Sequence, residues 1–267
     1  MKKISLLMAI LGIGFIMNVA EIEAAPNKAN IGQQSSLALL WMQDGAEYKS
    51  LVHQAFNIAE KRVREDKMIK KVFVRVDEVL LDNTPYFAWL LKSNEKDTIE
   101  NRNRWYSSLD AEAVDGAVEF INYLNKNNVE VKLITSRDRN VYDVTIRNMN
   151  KAGFKALTLN NLISESDFDS YVKNGGKYTA IVTNDLNDFS SKIDGKNYRE
   201  RKAFADNQKN DFGKKWVIIP NVLYGDFETS LSKGYDNLDN NKKANVKIET
   251  LNEWNGTREF DRNIFNF

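Results

Sequence analysis

Lys70-Lys-Val-Phe-Val-Arg-Val-Asp-Glu-Val-Leu-Leu-Asp-Asn-Thr-Pro-Tyr86 joins two kinds of sequence with no spacer between them. Val72 to Val76 is a short run dominated by β-branched residues and reads as a buried strand. From Asp77 onward carboxylates and an amide enter. Asp82 or Asn83 suits the cap of a following turn or helix, and Pro85 suits its first position. The one charged side chain inside the apolar run is Arg75.

Outward from this strand the chain alternates. Ser36 to Arg64 reads as one long helix or two, with Leu37, Leu40, Trp41, Leu51, Val52, Ala55, Phe56 and Ala59 as its core stripe. His53, the single histidine, lies within that stripe and reads as structural or surface, since one histidine has no partner for a metal site. Asp110 to Asn127 reads as a helix, Val129 to Thr135 as a strand, and Asn140 to Ala152 as a helix stopped by Gly153. Tyr178 to Thr183 and Trp216 to Ile219 read as further strands, the last stopped by Pro220. Apolar strands alternating with helices imply a parallel sheet covered on both faces. Ligand sites in such sheets lie beyond the C-terminal strand ends. Arg75 to Asp77, Thr135 to Arg137, Asn184 to Asp188 and Asn221 to Tyr224 are therefore the residues of interest. The polar stretch Asp236 to Val246 reads as a loop or linker.

The N-terminus has the three parts of a secretory signal peptide: Lys2 and Lys3, an apolar run from Ile4 to Ala20, and small residues at Ala24 and Ala25. Cleavage after Ala24 leaves 25–267 as one domain; an uncleaved membrane anchor is the alternative. The expected destination is the periplasm, cell envelope or exterior, with no transmembrane segment left after cleavage. The chain has no cysteine, hence no lipid attachment at an N-terminal Cys and no disulfide, so its core alone holds it together. A formal charge of +1 does not suggest nucleic acid or an anionic membrane as the main partner. A 42% hydrophobic content supports a packed core and argues against disorder.

In order and spacing, several segments resemble the class C nonspecific acid phosphatases, bacterial exported phosphomonoesterases of the haloacid dehalogenase superfamily. They are Ala46-Glu-Tyr-Lys-Ser-Leu-Val-His-Gln-Ala-Phe-Asn57, Val76-Asp-Glu-Val-Leu-Leu-Asp-Asn-Thr-Pro-Tyr86 and Val114-Asp-Gly-Ala-Val-Glu-Phe120. Then come Ile134-Thr-Ser-Arg137, Asp185-Leu-Asn-Asp-Phe189, Arg201-Lys-Ala-Phe-Ala-Asp206 and Phe212-Gly-Lys-Lys-Trp-Val-Ile-Ile-Pro-Asn-Val-Leu-Tyr-Gly-Asp226. The resemblance implies an α/β, haloacid dehalogenase-like (Rossmann-like) parallel sheet with helices on both faces. It also implies a small, mainly helical cap, drawn roughly from 32–68 and 87–109.

The family reaction, as the resemblance implies it, uses a strand-end Asp as nucleophile and a second Asp as acid and base. Magnesium neutralises the phosphoryl oxygens. In this chain the nucleophile position is Arg75, the acid/base position is retained as Asp77, and the Thr of that motif is Val79. The phosphate-binding Thr is retained as Thr135, while the phosphate-binding Lys has no clear match between Leu162 and Lys173, Ser164 falling near its place. The metal-ligand Asp is Asn184, preceded by Thr183; Asp188 is retained, and Asp185 replaces an Asn.

Arg has no nucleophilic character at neutral pH, and Asn brings no charge to a hard dication. The expected metal site is therefore lost, with no cofactor, and Arg75 is expected to pair with Asp77, Asp188 or Asp185. The expected function is a non-catalytic binding or scaffolding pseudophosphatase. Its pocket is either merely filled by Arg75 or kept as a site for phosphate, a nucleotide or another small anion, with Thr135, Ser136 and Arg137 as further donors. Tyr86, Trp89, Trp105 and Tyr224 are the aromatics expected near the mouth. The alternatives are a working phosphomonoesterase of the same family, and a surface protein that engages a protein partner without using the pocket.

Overall fold

The computed structural model describes residues 31–173 and 179–254. The expected signal segment 1–24 and its cleavage site lie outside the described residues. In chain order the elements are helices α1 (Ile31–Asp44) and α2 (Ala46–Glu65), strands β1 (Lys71–Arg75) and β2 (Leu81–Asp82), and helices α3 (Thr84–Ser93) and α4 (Ile99–Ser108). Next are β3 (Glu112–Ala113), α5 (Ala117–Lys126), β4 (Glu130–Thr135), α6 (Tyr142–Lys151), β5 (Leu162–Ser164) and α7 (Glu165–Lys173). The chain continues through β6 (Thr179–Thr183), α8 (Tyr198–Asn207), β7 (Trp216–Ile218), α9 (Asp226–Thr229) and α10 (Asn240–Thr250).

β1 sits at the centre of a five-stranded sheet of order β5-β4-β1-β6-β7, and every pairing in it is parallel. Successive side chains of a strand face opposite sides, and β1 obeys this. Val72 and Val74 enter the larger core with α2 and α5, whereas Phe73 packs with Ile134, Phe168 and Ile181 on the other side. Both faces are thus buried, as an all-parallel sheet demands. The register aligns Val74 with Leu133 and Val182, so the C-terminal ends of β1, β4 and β6 come side by side.

The helical layer differs from the expected one in several places. Of the one or two helices expected over Ser36 to Arg64 the structure has two, broken at Gly45, where a Cβ would stand 2.3 Å from the Trp41 carbonyl oxygen. Of the expected stripe Val52, Ala55, Phe56 and Ala59 are buried, whereas Leu37, Leu40 and Leu51 are exposed and Leu39, Met42, Tyr48 and Val63 are buried besides. His53 is exposed, as expected of a surface residue. α2 packs on α5, β6 and β7, and α1 packs on α3. α2 thus belongs to the helical layer over the sheet.

The helix expected from Asp110 starts only at Ala117, because Glu112 and Ala113 pair with Asp82 and Leu81 and Gly116 turns through φ +79°. From there Ala117, Phe120, Ile121 and Leu124 form one buried face. The expected linker Asp236 to Val246 instead contains the start of α10, whose first turn is capped by the Asp239 side chain accepting from the Lys242 N–H. Among the described residues no helix is long and apolar enough to cross a membrane.

Candidate functional site

Beyond Arg75 the chain leaves the sheet through a tight loop. The Val76 carbonyl accepts from the Leu80 and Leu81 N–H groups, and Glu78 takes φ +56° to close it. A buried non-glycine residue in the left-handed region stores backbone strain. The loop turns Asp77, Glu78 and Asn83 back toward the ends of β4 and β6.

Arg75 projects toward β6. Its Nε donates to Asp188 Oδ2 at 2.8 Å and its Nη2 to Asp188 Oδ1 at 2.6 Å, a bidentate pair. Its Nη1 donates to Glu165 Oε1 at 2.6 Å, and Asp185 Oδ2 stands 3.7 Å from Nη2. Thr183 Oγ1 adds a short hydrogen bond to Asp188. Burial alone would lower the Arg75 pKa, but the hydrogen bonds and charge of Asp188, with Glu165 and Asp185, raise it, so the guanidinium stays charged.

Asp77 does not meet Arg75, contrary to one of the three expected pairings. It turns to Arg137, whose Nη2 donates to Oδ1 at 2.5 Å and whose Nε reaches both oxygens at 3.1 and 3.2 Å. Burial raises the Asp77 pKa, but the Arg137 charge and hydrogen bonds more than offset it and hold the carboxyl below its usual value. The Arg137 guanidinium lies over the Tyr106 ring at 3.9 Å and also donates to Thr145 at 3.1 Å. Glu78 is the opposite case. Burial, then the Asp77 charge, push its carboxyl well above the usual range, and its Oε2 has no protein partner.

Asn83 joins these groups, a role the sequence did not suggest. Its amide nitrogen donates to Asp77 Oδ1 and Glu78 Oε1, each at 2.8 Å, while its carbonyl oxygen accepts from Trp105 Nε1 at 2.8 Å. The side-chain cap of the following turn comes from Asp82 alone, which accepts from the Thr84 N–H at 2.8 Å. Glu165 was likewise unforeseen. It opens α7 directly after the end of β5, in the stretch Leu162 to Lys173 where the resemblance calls for a lysine, and an acid at a strand end is the signal that points to it.

Two of the three expected anion donors are otherwise occupied. Thr135 is buried, its hydroxyl accepting from the Arg137 backbone N–H at 3.1 Å. Arg137 is held by Asp77, and of the expected trio only Ser136 is exposed. Tyr86 is buried, donating from its hydroxyl to Asp97 at 2.8 Å and stacking on Trp105 at 6.4 Å between ring centroids. Tyr224 lies 5.4 Å from Phe87 and lines the mouth. Asn184 donates from Nδ2 to the Asp77 backbone carbonyl at 3.1 Å, so both partners of that contact are used on each other. Among the described residues no group of three or more His, Cys, Asp or Glu side chains is arranged to hold a metal. The carboxylates that converge here face guanidinium groups instead.

On the β7 side a second network continues the site. Arg201 of α8 donates to Asp226 at 3.0 Å and to Asn187 at 2.9 Å, and Asn187 donates to Asp226 at 2.6 Å. Between this network and Arg75 opens a cavity of about 650 Å³.

The sequence model of the haloacid dehalogenase superfamily, subfamily IIIB (acid phosphatase), matches residues 15–227. Two solved structures of the class C acid phosphatase from Bacillus anthracis, one with tungstate bound, are similar throughout. Each superposes with a TM-score of 0.76 at 26% identity, covering 84% of this chain and 99% of that one. With the parallel sheet and its strand-end loops already in place, the match over most of the sequence means that the chain belongs to the subfamily IIIB acid phosphatases of the haloacid dehalogenase superfamily.

Proposed function

We propose that this chain keeps the acid-phosphatase fold but works as a non-catalytic binding or scaffolding protein. The observation that carries this reading is the side chain at the end of β1. Arg75 stands where the resemblance calls for a nucleophilic carboxylate, and it is tied to Asp188 and Glu165. A guanidinium offers no lone pair for attack on phosphorus.

The same side chain argues against a magnesium ion. Its charge, 2.6 Å from the Glu165 and Asp188 carboxylates, takes the electrostatic place of a dication. Asn184 turns an N–H toward the Asp77 carbonyl, a donor where a ligand set needs an acceptor. The residues present do not suit a hard metal. Occupation of Thr135, Arg75 and Arg137 by internal partners weakens the case for a retained phosphate or nucleotide site. The centre is then a set of ion pairs that locks the strand ends.

Hydrolysis of p-nitrophenyl phosphate with and without magnesium tests this. The expected result is no turnover above a protein-free blank. Metal-dependent turnover that disappears in Asp77→Asn would overturn the reading and restore a working phosphomonoesterase. The double variant Arg75→Asp with Asn184→Asp asks whether the remaining scaffold is competent, since activity should then appear only with magnesium. We propose export as well, on the strength of Lys2, Lys3 and the apolar run from Ile4 to Ala20; the N-terminal sequence of the mature protein checks it.

A further inference from the structure

We propose that the cavity beside the reaction centre binds an apolar molecule carrying one cationic amino group. This rests on the reading that the centre itself is locked by ion pairs. The cavity, about 650 Å³, lies within the range of small-molecule sites, roughly 300–1,000 Å³. Leu186, Ile218, Ile219, Val222, Phe227 and Leu231 supply its apolar wall. Ile218, Val222 and Phe227 are 39%, 38% and 51% exposed, so contiguous apolar surface is open to water at one place.

The charged end decides what the head group is. Arg75 is matched by Asp188 and Glu165, Arg137 by Asp77, and Arg201 by Asp226. Asp185 shares Arg75 and Arg201 only through long ion pairs and has no hydrogen bond from either. Its Oδ1 accepts only from the Asn187 backbone N–H, at 2.9 Å. The guanidinium nitrogens of Arg75 and Arg201 stand at 3.7 and 3.8 Å, beyond hydrogen-bond length. Asp185 lines the cavity and keeps Oδ2 without a hydrogen bond. Lys202, which also lines the cavity, is exposed to solvent. With Asp185, five carboxylates here face three guanidinium groups, so an ammonium placed at Asp185 reduces the negative excess at the inner end, while an apolar tail covers Ile218, Val222 and Phe227. A carboxylate or phosphate head would meet Asp185 with like charge.

Titration calorimetry with octylamine, octanol and octanoate, each kept below its aggregation concentration, tests both halves. Octylamine should bind at least tenfold more tightly than octanol, and octanoate more weakly than either. In Asp185→Asn the amide oxygen still accepts from Asn187, and the amine should fall to the affinity of the alcohol while octanol is unchanged. Phe227→Ala should weaken amine and alcohol by the same factor. Octanoate binding as tightly as octylamine, an amine preference that survives Asp185→Asn, or no binding by any of the three overturns the proposal. Should the Asp185 variant not fold, the ranking of the three probes on the unaltered protein still decides. The outcome is separable from the fate of the pseudophosphatase reading, because phosphomonoester turnover by the unaltered protein would defeat that reading and leave the ranking of heads intact.

Discussion

The Arg75 guanidinium faces the Asp188 carboxylate across two hydrogen bonds, Nε to Oδ2 at 2.8 Å and Nη2 to Oδ1 at 2.6 Å, at the junction of β1 and β6. Both side chains are nearly buried, with 12% and 4% of their surfaces exposed. In such a pair the attraction is largely spent on desolvation, so its net contribution is small, yet breaking it is costly. The ion pair therefore behaves as a lock on the loops.

Removing one partner measures that lock. Arg75→Leu leaves Asp188 buried and uncompensated and should cost about 3–5 kcal/mol in chemical denaturation. Glu165, with 46% of its side chain exposed, adds little because it can turn to water. Arg75→Lys should recover only part of the loss, since an ammonium cannot reproduce the paired geometry. Arg75→Met combined with Asp188→Leu should be more stable than Arg75→Leu alone. A double variant no better than the single one would count against the lock.

Asn83 allows a sharper comparison. Its amide nitrogen serves two neighbouring carboxyl groups while its oxygen takes the Trp105 N–H. Asn83→Ala should lower stability by about 2–4 kcal/mol, the sum of unpaired buried groups at roughly 1–3 kcal/mol each. Asn83→Asp keeps the shape but sets another carboxylate against Asp77 and Glu78, so it should be the worse of the two near neutral pH. Equal losses in thermal unfolding would mean that the amide donor is not what matters.

The fold was legible because its signals are periodic. The apolar runs of β1, β4, β6 and β7 and the buried face of α5 follow from strand and helix spacing. Elements without such a signal do not stand out: the three-residue edge strand β5 has no pattern to mark it, and the polarity of Asp236 to Val246 reads as a loop although Asp239 caps α10 there. At the site, the substitution at Arg75 could be seen in the chain, but its partners could not. Arg75 had several acids in reach of its strand end, and the choice of Asp188 and Glu165 over Asp77 depends on which way the loop turns at Glu78. Asp77 is taken by Arg137, sixty residues on and expected to face a ligand.

The Asp77–Arg137 pair should reveal itself in acid. The folded-state pKa of Asp77 is depressed relative to the unfolded chain. Its contribution is therefore fully present above the unfolded value, near 3.9, and is lost as pH falls through the folded value. Denaturation curves between about pH 5 and pH 2 should lose stability steeply in the unaltered protein and less steeply in Arg137→Met. A double-mutant cycle of Asp77→Asn with Arg137→Met should give a coupling of about 1–3 kcal/mol at pH 7 that shrinks in acid. A coupling independent of pH would assign the interaction to packing.

Glu78 should move stability in the opposite sense. Burial, followed by the Asp77 charge, raises its folded-state pKa well above that of an unfolded glutamate. Its favourable contribution is fully present below the unfolded value, near 4.3, and is lost as pH rises through the folded value. Near neutrality the unfolded chain gains by ionising while the folded chain must hold a neutral carboxyl with an orphaned Oε2. Glu78→Gln keeps the shape and the acceptor for Asn83 and removes the titration. The variant should therefore gain stability relative to the unaltered protein as pH rises from 4 to 7, by on the order of 1 kcal/mol per pH unit within the window. Because the left-handed turn at Glu78 is kept in both proteins, backbone strain cancels, and the difference between the two pH profiles isolates the proton. Parallel profiles from pH 4 to 7 would mean that Glu78 is already ionised in the fold, and the pairing drawn between Asn83 and these two carboxyl groups would then have to accommodate two full charges.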